Sequence, residues 1–336
     1  MKFKKHLPLV YIILISLFTG YVMLDTFVIP RSQSDASEIN TSMFDGEEKQ
    51  PTSHSSEKKP ASPSASRPSR NPMGGGGGAF RPESSSSASI TKHSGDYTDY
   101  KDDNISVTIS DYTENNTKIY VADVKVSSAQ YLKTAFANDS YGKNITDSTS
   151  AIAESKNAIF AVNGDYYGAR EKGYVIRNGV IYREIGSADT DVLCIYTDGH
   201  FEITNSDEKT AQQLLSEKVW QAFSFGPALV EEGKVSVSKD DAVGREMASN
   251  PRTAIGIIDN NHYIFVVSDG RTDESEGLSL YELAEFMQKL GVKTAYNLDG
   301  GGSSTMYYTG EIINNPTTTG RNISERKVSD IVYIGY

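Results

Sequence analysis

Apolar residues run without a charge from Leu7 to Leu24, and apolar character resumes at 26–29 beyond Asp25. About 20 apolar residues cross a bilayer, so residues 7–29 are predicted to form a transmembrane helix. Lys2, Lys4 and Lys5 precede it and few charges follow, which favours an inside N-terminus. A cleaved signal peptide is the competing reading, but its apolar run is shorter and ends in small residues, unlike "LDTFVIPRS". Under either reading the rest of the chain lies outside the cytoplasm. From residue 31 to 95 the pattern gives way to Ser, Pro, Gly, Lys and Glu, including five consecutive glycines at 74–78. Such a segment cannot bury enough apolar surface to offset its ordering entropy and is predicted to be a disordered stalk. Three regions follow: a cytoplasmic tip and signal-anchor over 1–30, the stalk over 31–95, and a folded domain over 96–336.

Within the domain, short apolar runs alternate with polar positions and are joined by turn dipeptides. Asn178-Gly179 lies inside "GYVIRNGVIYRE" and Asp198-Gly199 inside "LCIYTDGHFEIT", both signatures of tight hairpins, and Glu232-Gly233 lies inside "ALVEEGKVSV". Helical spacing is rarer. "TDSTSAIAESKN" and "DEKTAQQLLSEKVWQAF" are candidates, and the clearest is residues 279–291. There Leu280, Leu283, Ala284, Met287 and Leu290 recur on one face, Ser279 and Glu282 form a capping box, and Gly291 stands at the stop. The predicted class is α+β: a mostly antiparallel mixed sheet with hairpins and a few packed helices.

One strand–helix–strand crossover gathers the polar strand ends. Residues 252–259 and 262–269 read as strands around an Asn260-Asn261 turn. With 259 opposite 262, Arg252 falls opposite Asp269. The helix then leads to a strand over 292–298. If the two strands flanking the helix pair in parallel, they end on the same edge, bringing Arg252, Asp269 and Asp299 to one rim, where ligands of open α/β sheets sit. Asp299 is followed by Gly300, Gly301 and Gly302, then Ser303. Glycines there let a ligand approach the backbone and leave N–H groups for an anion. A second apolar run ends similarly, at Asn163-Gly164-Asp165. Each feature has a plain alternative: a tight turn for the glycines, a structural ion pair for Arg252 and Asp269, the cap for Glu282.

Composition narrows the chemistry. The 336-residue chain carries a net charge of −11, which argues against nucleic acid as the main partner. Its single cysteine, Cys194, lies in the apolar "VLCIY" and reads as a core residue. No HExxH, GxSxG or GxxxxGK[ST] pattern is present in the sequence.

The segments "NGDYYG", "FSFGPALVEEGK", "NPRTAIGI", "SDGR", "GLSLYELAEFMQKLG" and "NLDGGGSSTM" resemble, in this order, the phosphodiester glycosidase family, over roughly residues 105–336. The resemblance implies cleavage between a sugar C1 and an esterified phosphate, releasing a free sugar and a phosphomonoester. It implies site residues Asn163, Gly164, Arg252, Thr253, Asp269, Gly270, Glu282, Asn297, Asp299, Gly300, Gly301, Gly302 and Ser303. Where some relatives have Asn-Gly-Gly-Phe, this chain has Asn163-Gly164-Asp165-Tyr166, adding a carboxylate. For that chemistry Asp299 is the first candidate to stabilise or attack an oxocarbenium-like centre. Asp269 and Glu282 are alternatives for activating water. Arg252, helped by Arg271 or Arg177, is suited to hold the phosphate, and Asn297 and Ser303 to meet sugar substituents. No cofactor is required, although Asp165, Asp269 and Asp299 are oxygen donors of the kind calcium takes. The substrate this implies is a sugar-1-phosphodiester of a cell-surface polymer or exopolysaccharide. A non-catalytic wall-polymer binding module and a sugar-transferring assembly enzyme are the rival readings.

Overall fold

The computed structural model describes residues 7–36, 38–45, 91–93, 97–188, 190–238 and 248–336, with side chains excluded at 7–9 and 91–93. The glycines at 74–78 and most of the expected stalk lie outside the described residues. Leu7–Phe27 forms an exposed apolar helix of 21 residues, about 30 Å long at 1.5 Å per residue and so long enough to cross a bilayer.

The domain is built from antiparallel sheets, and every strand pair among the described residues is antiparallel. The largest sheet runs, in spatial order, through Ala228–Glu231, Thr294–Asn297, Arg252–Asp259, His262–Ser268, Thr117–Val126 and Ile105–Glu114. Strand alternation gives this sheet two apolar faces. On one, Val121, Ala254, Ile264, Val266 and Ala295 receive Leu283, Ala284 and Met287 of the helix Leu280–Lys289. On the other, Tyr120, Ile255, Phe265 and Tyr296 pack against residues of two five-stranded sheets, among them Phe160, Val162, Val332, Leu193 and Phe223. Phe160–Asn163 lies beside Asp330–Ile334 in one of these, and Val175–Arg177 beside Val219–Phe223 in the other.

The expected elements around the site are present, with two changes of pairing. Asp259 pairs with His262 as anticipated, but an irregularity between Ile257 and Asp259 shifts the rest of the hairpin by one residue. Arg252 therefore lies opposite Ser268 rather than Asp269. The strands before and after the helix are not neighbours either: Arg252–Asp259 lies between them, antiparallel to both. They still run in the same direction and end on one edge, so the shared rim survives without parallel pairing.

Two further expectations change. "DEKTAQQLLSEKVWQAF" is not one helix, because Ala211–Ser216 is helical while Val219–Phe223 is a fully buried strand. The stalk does not begin at residue 31. Arg31–Asp35 pairs with Ser140–Lys143, and a turn over Thr41–Phe44 buries Met43 and sets Phe44 edge-on to Trp220 at 4.9 Å. Two apolar side chains suffice here because Trp220 and the turn glycine Gly179 offer them a seat.

Candidate active site

Four strand ends meet at Asn163. This fully buried side chain donates to the Asp299 carbonyl at 2.6 Å and to the Gly164 carbonyl at 3.3 Å. Its oxygen accepts from the Thr253 hydroxyl at 2.8 Å and the Thr305 amide at 3.3 Å. The sequence placed Asn163 and Thr253 among substrate-binding groups. The structure gives their mutual hydrogen bond a positioning task, fixing the backbone that carries Asp299.

Asp299 lies at the rim with its side chain 12% exposed. Arg326 donates to its carboxylate at 2.8 Å from Nη2 and to the Ser303 hydroxyl at 2.8 Å from Nε. Burial raises the Asp299 pKa above the ordinary carboxylate value, opposed by Arg326, Ser303 and the Gly300 amide. Arg326 is 38% exposed and lies over the ring of Tyr166 at 5.8 Å. Sequence reasoning missed it: it stands between Glu325 and Lys327 in "SERKVSD", a charged run with no glycine to mark a site.

The glycines after Asp299 differ from expectation. The Gly301 amide donates to the Pro251 carbonyl at 2.8 Å, so it is not an open anion donor. A Cβ on Gly302 would come within 2.3 Å of the Thr318 hydroxyl and 3.1 Å of its Cα, and Gly301, at φ +62°, within 2.9 Å of Arg271 Nη2. The run permits close packing of neighbouring segments against the backbone. Arg271 is thereby at the site, bonded to the Asn250 side chain and the Thr318 carbonyl. Burial and the nearby Arg326 lower its pKa.

The other expected groups have partners of their own. Arg252 Nε donates to the Leu278 carbonyl at 2.8 Å and Nη2 to that of Ala248 at 2.8 Å. It lies beside Gly300 but forms no ion pair with Asp269 among those described. Asp269 accepts from the Asn315 amide at 2.8 Å, from both the Asn314 and Asn315 side chains, and from the Tyr120 hydroxyl. The Gly270 backbone is crowded by Pro251 and Gly277. The Glu282 carboxylate accepts from the Ser279 amide and hydroxyl, both at 2.8 Å, completing the capping box. Asn297 donates to the Gly226 carbonyl at 2.8 Å, while its buried oxygen has no partner.

Asp165 and Arg177 form a buried network instead of a phosphate grip. Arg177, 1% exposed, bonds Asp165 at 2.7 Å and Asp330 at 3.0 Å. Asp165 also accepts from the Ser224 amide. Burial raises the Asp330 pKa despite Arg177. A Cβ on Gly164 would come within 2.2 Å of the Asp330 carboxylate, which explains that glycine. Sequence reasoning missed Asp330 because it opens an apolar strand like any edge acid. The calcium reading is not upheld: Asp165, Asp269 and Asp299 have separate partners, and no cluster of three or more His, Cys, Asp or Glu suited to a metal occurs among the described residues. Cys194 is a buried core residue whose thiol pKa is raised by burial.

The family model described as phosphodiester glycosidase matches residues 156–335. An uncharacterized SPbeta prophage-derived protein of Bacillus subtilis, YomE, is 28% identical over 203 residues, covering 58% of this chain and 31% of that protein. Human N-acetylglucosamine-1-phosphodiester alpha-N-acetylglucosaminidase is 33% identical over 117 residues, 31% of this chain and 21% of the enzyme. The chain thus spans a third or less of the length of these relatives. The zebrafish catalytic domain of that name, auto-inhibited by its pro-peptide, superposes with a TM-score of 0.57 at 18% identity, covering 74% of this chain and 88% of that one. The zebrafish likeness shows a shared fold.

Proposed function

The chain belongs to the phosphodiester glycosidase family, and on that premise we propose that it hydrolyses the C1–O bond of sugar-1-phosphodiesters, with Asp299 as the reacting carboxylate. The observation that carries this reading is a partly accessible carboxylate held by Arg326 and Ser303 directly before the packed glycine run. An ionised Asp299 stabilises or attacks the positive C1 of the transition state. Arg326, exposed on one side and near Arg271, grips the phosphate that leaves. That group needs little protonation, since the second pKa of a phosphomonoester is about 6. Asp269 is assigned to holding Asn314 and Asn315, and Glu282 to capping its helix. Arg252 is assigned to shaping the rim through the 248 and 278 carbonyls.

The apolar helix near the N-terminus supports a membrane-held domain outside the cytoplasm, with a cell-surface polymer as its substrate. The human relative's name, a glycosidase acting on a sugar-1-phosphodiester, supports the substrate class. The test is incubation with a synthetic N-acetylglucosamine-1-phosphodiester. Release of free sugar, reduced at least about a hundredfold in Asp299→Asn, is expected, since loss of one transition-state charge contact costs about 10²–10³ in rate. Tight binding without release would favour a binding module, and a new glycoside formed with an added acceptor would favour transfer.

A further inference from the structure

A cavity of about 420 Å³ is lined in part by Tyr167, Gly168 and Arg170 and shares no lining residue with the Asp299 cluster. Tyr141, Tyr167 and Tyr182 form part of its wall, and Gln33 of the N-terminal strand forms another part. Tyr141 and Tyr167 stack at 5.2 Å, and Tyr182 tilts against Tyr141 at 5.3 Å. Tyr167 is 2% exposed, and its hydroxyl, next to the Gly142 amide, completes no hydrogen bond.

The charges around this cavity are unevenly compensated. Lys143 pairs with Glu171 at 2.6 Å, and Glu184 accepts from Gln212. Arg183 bonds the Gly173 and Arg170 carbonyls at 2.6 Å and the Tyr167 carbonyl at 3.1 Å, with the Tyr141 hydroxyl beside it and the buried Asp165 carboxylate acting on it from a distance. Arg170 bonds the Ser224 and Phe225 carbonyls and lies over the Phe225 ring. Among the described residues neither arginine meets a carboxylate within 4 Å. A guanidinium in a part-buried wall that touches only neutral acceptors keeps donor capacity and part of its charge for an anion, even with Asp165 acting on Arg183 from a distance. Tyrosines add apolar ring area with polar tips, a wall suited to the C–H face and hydroxyls of a sugar. The volume is at the small end of ligand pockets, about 300–1,000 Å³.

We propose that this cavity is a second binding site that takes one anionic sugar unit, phosphorylated or carboxylated, of the polymer cut at Asp299. The choice of ligand rests on the phosphodiester glycosidase reading. The 163–169 segment links the two sites: Asn163 anchors Asp299 at one end, and Tyr167 lines the cavity at the other.

The test is calorimetric titration of the full chain carrying Asp299→Asn with glucose 6-phosphate, glucuronate and neutral glucose, with inorganic phosphate as a fourth arm. Glucose 6-phosphate, glucuronate or both should bind, glucose and phosphate at least tenfold more weakly, and the preferred anion identifies the polymer's charge. Tyr182→Ala and, separately, Arg183→Lys should each weaken that binding about tenfold. Arg183→Lys can disturb its carbonyl cradle, so the more exposed Tyr182 provides the independent variant, with circular dichroism confirming the fold of both. Absence of binding, equal binding of glucose or phosphate, or undiminished binding in a folded Tyr182→Ala protein would overturn the proposal. Cavity binding in a protein whose Asp299 form releases no sugar would instead count against the hydrolase reading alone.

Discussion

Asn163 offers two N–H groups and one carbonyl oxygen with two lone pairs, and all four positions are used within the rim. Asn163→Asp substitutes a second acceptor for the donor facing the Asp299 carbonyl. It is expected to cost about 1–3 kcal/mol of stability and to displace Asp299, read as a lowered urea midpoint and a lowered kcat. Arg326→Gln removes the charge that opposes the burial-raised pKa of Asp299. The acid limb of the pH–rate profile should move to higher pH, because activity needs the ionised carboxylate and falls as pH drops through its pKa. An unmoved limb would separate Arg326 from that titration. Arg177→Met leaves Asp165 and Asp330 buried without their cation, a change of about 3–5 kcal/mol. The raised folded pKa of Asp330 rises further there, so stability is lost as pH increases through it and partly recovered in acid. Chemical denaturation at pH 5 and pH 8 checks this sign. The strand ends at Asn163 and Asp299 were legible because glycine and amide punctuate a strand end, whereas the packing task of the glycines was not. Arg326 and Asp330 were not: their partners lie 27 and 153 residues away in sequence, and no local pattern encodes such a contact.

At the scale of elements, local signals were read well where one mechanism governs. Asn178-Gly179 and Glu232-Gly233 each place two consecutive residues at positive φ, as tight hairpin turns require. The Ser279–Glu282 box caps Leu280–Lys289, and Gly291 follows at φ +83°. Ser279→Ala should destabilise the domain by about 1 kcal/mol, within a 0.5–2 range, with little change in KM if Glu282 serves the cap alone. A large loss of kcat in Ser279→Ala would return Glu282 to the chemistry. The hairpin register was misread by one residue because a bulge near Ile258 leaves no mark in an alternating apolar run. The split of 211–223 into a helix and a strand was hidden for a related reason. Trp220 and Phe223 suit either period, and only their burial between sheets decides.

At the scale of the whole molecule, the α+β class and the antiparallel bias followed from turn spacing, while the layering depended on which faces meet. The N-terminal segment shows the limit of composition. Residues 31–45 are polar on average, yet Arg31–Asp35 adds a strand and Met43 enters the domain surface. Met43→Ala should cost about 2 kcal/mol, the scale of one buried methionine side chain, and thermal unfolding checks it. The central claim concerns which bond breaks. Hydrolysis of an N-acetylglucosamine-1-phosphodiester in ¹⁸O-labelled water, followed by ³¹P NMR of the phosphomonoester, decides it directly. Attack at C1 leaves the phosphomonoester free of ¹⁸O, the expected result; ¹⁸O in the phosphate would mean phosphorus–oxygen cleavage and would contradict the assignment of Asp299 to the sugar.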